Sequence, residues 1–292
     1  MMAPRRSGTA PGIAADGATP LAIICGGGNV PFKVANAARD AGRPVYLIGI
    51  EGAADADIAN WPHDWFSWGE VGRLFKLLKA AHCRDVVFVG HVHRPSFREL
   101  RLDLGAILEL PRLLAFLIGG DDKILSGVIR YFEDKGIQVH GAHEIAPALI
   151  LGAGAVGRHK PGRKVRGDIA LGFRAAATLG AFDIGQGVVV ENGLVLAVEA
   201  AEGTDRMLAR VAELRKGRAR GAGVFVKRAK PGQELRIDMP TIGERTVERV
   251  AEAGLAGIAV QAGHTIAADR EALAEAADRA GIFVVGMIPE DA

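Results

Sequence analysis

The sequence predicts an α/β protein: a Rossmann-like N-terminal domain on a parallel sheet, a second mixed α/β domain, and a ligand cleft between them. Three observations lead there. From Leu21 onward, short apolar runs alternate with helical patterns, as in a parallel sheet with crossover helices. The first run, "LAIIC" at 21–25, empties into Gly26, Gly27 and Gly28, a strand-to-turn junction that suits a phosphate. Past residue 145 the pattern changes to a hairpin signal followed by a further α/β stretch. A chain of 292 residues can bury two such cores.

In chain order, residues 1–19 are rich in Ala, Gly and Pro and read as a disordered tail without a signal-peptide core. Strands are expected at 21–25, 45–50, 86–90 and 137–141, with helices at 31–41, 69–82 and 121–136 between them. These make up the first domain, 20–145. The second domain, 146–292, opens with "LGAGAVGRHKPGRKVRGD" (151–168), whose glycines and basic residues read as a linker or mobile loop. In "VVVENGLVLAVEA", Asn192 and Gly193 stand between two β-rich runs, a two-residue hairpin signal because both positions take positive φ. "GVFVKRAKPGQELRIDMP" reads as a strand pair around Pro231 and Gly232, and Thr241 with Glu244 as a capping box that starts a helix. Strand 257–261, helix 269–280 and strand 282–286 complete the domain.

Composition narrows the function. A formal net charge of +2 gives no global pull on nucleic acid, which is not expected as a partner. Cys25 and Cys83 form neither a disulfide framework nor a metal spacing, which fits a reducing cytoplasm. The greasiest stretch, 104–120, is broken by Glu109, Pro111 and Arg112, too short a run to span a bilayer.

The chemistry-bearing residues leave several readings open. Three glycines let backbone amides approach a pyrophosphate, or simply supply a tight turn. Pro31 stands where a dinucleotide fingerprint needs its third glycine, and no Gly-Lys-Ser/Thr follows; Glu51 after the second strand keeps an NAD-dependent oxidoreductase as an alternative. His91 and His93 have a zinc-like spacing but no third ligand nearby, and Arg94 stands where such sheets meet ligands. In the second half, Asp183, Gln186, Glu202, Thr204, Asp205 and Asp238 gather at expected strand or loop ends, a composition suited to a hard cation and phosphate oxygens. Lys227 and Lys230 add cations beside them. Each also has a plain structural reading as a turn or helix-cap residue.

Taken in order, "CGGGNVP", "GHVHRP", "GDD", "GAHE", "DIGQG", "LAVEAAEGTD", "VKRAKPGQE" and "RIDMPTIG" resemble the LpxI-type UDP-2,3-diacylglucosamine pyrophosphatases over roughly residues 20–288. The resemblance implies hydrolysis of a lipid-linked UDP-sugar to UMP and 2,3-diacylglucosamine 1-phosphate (lipid X) in lipid A biosynthesis. It implies attack at the β-phosphorus with a divalent cation, Mg2+, and a first domain that takes UDP. Its site residues would be Asp238, Lys227 and Asp205 as catalytic groups, Asp238 also serving as metal ligand. Gly26, Gly27, Gly28, Arg94, Asp122, Glu144, Gln186, Glu202, Gly203, Thr204 and Thr241 would bind substrate. Histidines at 91 and 93 and the N-terminal tail depart from the family pattern. The partners expected are the lipid-linked substrate, the cytoplasmic face of the inner membrane as a peripheral surface, and a second copy in a homodimer. A non-catalytic protein that binds a nucleotide-sugar or lipid is the other alternative.

Overall fold

A computed structural model describes residues 19–92, 103, 105 and 121–289. Residues 1–18 of the expected tail, the apolar stretch 104–120 apart from Gly105, His93 and Arg94 lie outside the described residues, as does the side chain of Asp122. The chain divides into two compact units, Met1–Pro147 and Ala148–Ala292.

The first unit runs β1 (Leu21–Cys25), α1 (Val30–Asp40), β2 (Val45–Ile50), β3 (His63–Phe66), α2 (Val71–Ala80), β4 (Asp85–Val89), α3 (Asp121–Asp134), β5 (Gln138–His140) and α4 (Ala142–Ile145). Its sheet is parallel with the order β3-β2-β1-β4-β5. β1 and β2 are buried along their whole lengths, as continuous apolar runs covered on both faces should be. β3 was not among the expected strands. Its sequence "HDWF" has no apolar run, and it forms by pairing with β2 from Leu47↔His63 to Ile50↔Phe66.

The second unit runs β6 (Gly154–Val156), α5 (Arg163–Gly180), β7 (Gly187–Glu191), β8 (Leu194–Val198), α6 (Gly203–Leu214), β9 (Val224–Lys227), β10 (Thr241–Ile242), α7 (Glu244–Glu252), β11 (Gly257–Gln261), β12 (Ile266–Ala267), α8 (Arg270–Ala280) and β13 (Phe283–Met287). Six strands form a mixed sheet, β6-β13-β11-β9-β7-β8, and β10 pairs with β12 beside it. Residues of α6, α7 and α8, including Leu208, Val247 and Leu273, share a core with Phe225. Ile169 and Phe173 of α5 pack with Val224 and Val226. Side chains alternate along a strand, so Lys227 falls on the Phe225 side of β9, toward α6.

The hairpin forms as expected, with Asn192 at φ 51° and Gly193 at φ 78°. Asp168 of α5 caps it: its two carboxylate oxygens accept the Asn192 and Gly193 amides at 2.9 and 2.7 Å. Three expectations are corrected. Segment 151–168 is not a loose linker, because β6 pairs antiparallel with β13, Leu151 is buried, and α5 begins at Arg163. "ELRI" is a turn rather than a strand, closed by the Ile237 and Asp238 amides on the Glu234 carbonyl at 3.2 and 3.0 Å. Arg236 also reaches back to the Glu234 carboxylate. Thr241 does not cap a helix, since it belongs to β10; α7 starts at Glu244 after Gly243, whose amide donates to the Thr246 hydroxyl at 3.4 Å.

Candidate functional site

In the first unit, β1 and β4 lie side by side where the strand order reverses, and ligands of such sheets bind at the carboxyl ends there. The glycine turn occupies that point, stitched to the segment after β4. The Gly26 amide donates to the Val89 carbonyl at 2.9 Å, while Gly27 and His91 exchange two backbone bonds of 2.8 Å. Gly28 donates to a carboxylate oxygen of Asp55 at 2.7 Å. Position 26 requires glycine because a Cβ would stand 2.6 Å from the His91 carbonyl oxygen. The reading of three amides waiting for a phosphate therefore needs correction. All three have protein partners, and an anion reaching Gly28 must displace Asp55. Glu51 accepts the Ser67 hydroxyl.

Glu144, expected to bind substrate, belongs to a charged network. Its carboxylate accepts the Gly141 amide at 3.1 Å and stands 3.2 Å from Nδ1 of His140. Nε2 of His140 lies 2.7 Å from Asp85, whose other oxygen receives Arg43 at 2.5 Å. Burial pushes the Asp85 carboxyl upward, but hydrogen bonds from His140 and Arg43 outweigh it and hold the group below its ordinary value. Glu144 behaves likewise: burial raises it, and the Gly141 amide and His140 bring it down.

In the second unit a polar cluster sits at one edge of the sheet, where β8 and β9 end and β7 begins. Lys227, 7% exposed, donates from Nζ to the Thr204 hydroxyl at 3.1 Å and to the Thr241 carbonyl at 3.3 Å. The Thr204 hydroxyl donates to Oε1 of Glu199 at 2.8 Å. Glu199 is 8% exposed, and its Oε2 is buried without a hydrogen-bond partner among the described residues. Gly187 pairs with Lys227 across the sheet and leaves room for this carboxylate, since a Cβ there would stand 2.5 Å from Oε2. Next to Gly187, Gln186 accepts the Gln233 amide at 3.4 Å. The same amide donates to Asp238 at 2.6 Å. The Lys230 backbone amide donates to the Gln233 carbonyl oxygen at 2.8 Å, which fixes which end of that side chain faces Asp238.

The structure thus gathers Gln186, Thr204, Lys227, Asp238 and the Thr241 carbonyl, with Gly203 opening α6. Other expected residues look elsewhere. Asp205 pairs with Arg245 of α7 at 2.8 Å. Glu202 pairs with Arg210 at 2.7 Å, and that hydrogen bond lowers its carboxyl. Asp183 pairs with Lys230. Sequence reasoning missed Glu199 and Gln233. Glu199 ends the apolar run "LVLAV", where a carboxylate is out of place unless it has a task, and Gln233 follows the turn at Pro231 and Gly232.

Chemically, an ammonium has three donors, and among the described residues Lys227 places two of them on protein oxygens, leaving one for a ligand oxygen. Asp238 adds a carboxylate with one oxygen engaged. Neither cysteine offers a nucleophile: burial pushes Cys25 and Cys83 up to about 12.

Comparison with known proteins completes the description of the site. The family model for the LpxI N-terminal domain matches residues 20–149, and that for the LpxI C-terminal domain matches residues 152–285. A protein of Caulobacter vibrioides named UDP-2,3-diacylglucosamine pyrophosphatase LpxI is 43% identical over 275 residues, covering 93% of this chain and 98% of that protein.

Proposed function

The chain belongs to the LpxI family, and from that premise we propose that it hydrolyses the diphosphate of UDP-2,3-diacylglucosamine to UMP and 2,3-diacylglucosamine 1-phosphate in lipid A biosynthesis. The observation that supports a place for this chemistry is the buried Lys227 ammonium held beside Thr204 and Thr241 at the sheet edge that also carries the Gln233–Asp238 pair. Hydrolysis adds a water oxygen to phosphorus and breaks the bridging P–O bond, and charge grows on the bridging oxygen as it leaves. The free donor of Lys227 suits that charge, and electrostatic stabilisation of this kind carries most of phosphoryl-transfer catalysis. Asp238 orients the attacking water or meets the cation; Gln233 holds it in place.

A divalent cation, Mg2+, fits on limited terms. Among the described residues no group of three or more His, Cys, Asp or Glu side chains converges. Magnesium is often bound through one or two carboxylates together with substrate phosphates, so Asp238 alone suits an ion carried in with a diphosphate. Bound there, the ion would neutralise phosphoryl oxygens as a Lewis acid.

The amphipathic substrate calls for a membrane surface. Among the described residues no helix is long and apolar enough to cross one. A concavity of about 600 Å3 lined by Lys160, Arg163, Lys164 and Arg220 supports peripheral contact with anionic lipid. Binding to vesicles rich in anionic lipid should weaken with salt, and salt-resistant binding would rule this contact out.

Incubation with UDP-2,3-diacylglucosamine in H2-18O tests the reaction. The expected products are UMP and a monosaccharide 1-phosphate, with the label in the latter for attack at the β-phosphorus. Label in UMP would reverse the site of attack, and absence of UMP would refute the function. Chelation and Mg2+ readdition test the cation.

A further inference from the structure

We propose that Glu199 is a positioning residue, acting through the Thr204 hydroxyl to hold the Lys227 ammonium against the Thr241 carbonyl. The role rests on the phosphoryl chemistry assigned above. A threonine hydroxyl has one proton to donate. Here Oε1 of Glu199 takes it at 2.8 Å, so the hydroxyl presents a lone pair to Lys227 at 3.1 Å. The carboxylate thus decides which way an intervening group faces.

Stability alone does not explain Glu199. Its Oε2 is buried without a partner among the described residues, and leaving such an atom bare is costly. The backbone also accommodates it, because Gly187 gives up the space that a Cβ would contest at 2.5 Å. Local rules broken in this way, with a neighbour shaped to permit it, mark positions held for function.

Two measurements test the proposal. In the first, mild reductive methylation followed by mass spectrometry reads the accessibility of Lys227, with Lys230 as the internal control. The Lys230 side chain is 8% exposed and pairs with Asp183. Glu199→Ala and Thr204→Val should each raise methylation of Lys227 several-fold and leave Lys230 unchanged, while Glu199→Gln, which keeps an acceptor for Thr204, stays near wild type. Unchanged Lys227 labelling, or equal rises at both lysines, would overturn the proposal.

The second measurement is UMP release. Glu199→Ala and Thr204→Val should each lower kcat by about 10²-fold, the size of effect expected from a misplaced group. KM should move little, and the double variant should fall no further than either single one, because the two act in series. Multiplicative losses would show independent roles and sink the idea. If wild-type protein releases no UMP, the assigned reaction fails, and the methylation result alone decides whether Glu199 positions Lys227.

Discussion

Asp238 keeps one carboxylate oxygen on the Gln233 amide, and asparagine can keep that bond. Asp238→Asn should therefore fold with a melting temperature near wild type, while UMP release falls by about 10²–10³-fold, as when one transition-state contact is lost. Asp238→Ala should cost about 1 kcal/mol more in stability for the hydrogen bond and be as inactive. A stable, fully active Asn variant would remove Asp238 from the mechanism. Gly26 makes the opposite case. A methyl there meets the His91 carbonyl at 2.6 Å, so Gly26→Ala should lower stability by about 1–3 kcal/mol through overpacking. Where the variant stays folded, KM should be unchanged. Thermal denaturation beside substrate titration separates the two. Asp238, Lys227 and Thr204 are legible in the sequence as a carboxylate, a cation and a hydroxyl at element ends. Glu199 was not, because its significance depends on a glycine twelve positions earlier and a threonine five positions later, and only the folded sheet brings the three together.

Elements with an uninterrupted apolar pattern, such as β1, β2, β11 and α8, lie where the sequence predicts, because burial on both faces or along one helical stripe leaves a clear period. Elements held by pairing rather than by pattern were invisible: β3, β6 and the two-residue β10 each take their form from a neighbouring strand. The turn at 234–238 misled for a related reason, since its apolar residues alternate while its own carbonyls and the Glu234–Arg236 pair close the chain on itself. The ion network of the first unit also belongs to this scale, tying β4 to β5, to α4 and, through Arg43, to the segment that leads into β2. Asp85 has a folded-state pKa below its ordinary value of 3.8. Its contribution to stability is therefore complete above that value and is lost as pH falls through the lower folded value. Asp85→Asn should destabilise by about 2 kcal/mol at neutral pH, as for a hydrogen bond to a charged group. The gap from wild type should close as the pH is lowered below 3.8, as followed by denaturant melts across pH. A pH-independent gap would mean that the loss is one of packing.

Over the whole molecule, two compact units each carry a sheet, and the family models divide the chain between residues 149 and 152. Fragments 1–147 and 148–292 should each fold when expressed alone, as read by cooperative melting. The polar cluster around Lys227 lies wholly within the second, so that fragment should keep the Lys227 methylation pattern of the intact chain. A fragment that melts without cooperativity would show that its core depends on the other half.

Both thiols of the protein belong to the first unit, at the end of β1 and just before β4, and the second unit has none. One half of the protein therefore carries buried thiols that can serve as a chemical clock. With burial pushing both up to about 12, the reactive thiolate is scarce at neutral pH, so a disulfide reagent waits on transient opening of that half. The rate of colour release from such a reagent then times the breathing of the β1–β4 layer alone, without isotope or spectrometer. Gly26→Ala should make the clock run fast; Asp238→Asn, confined to the other half, should leave it keeping wild-type time.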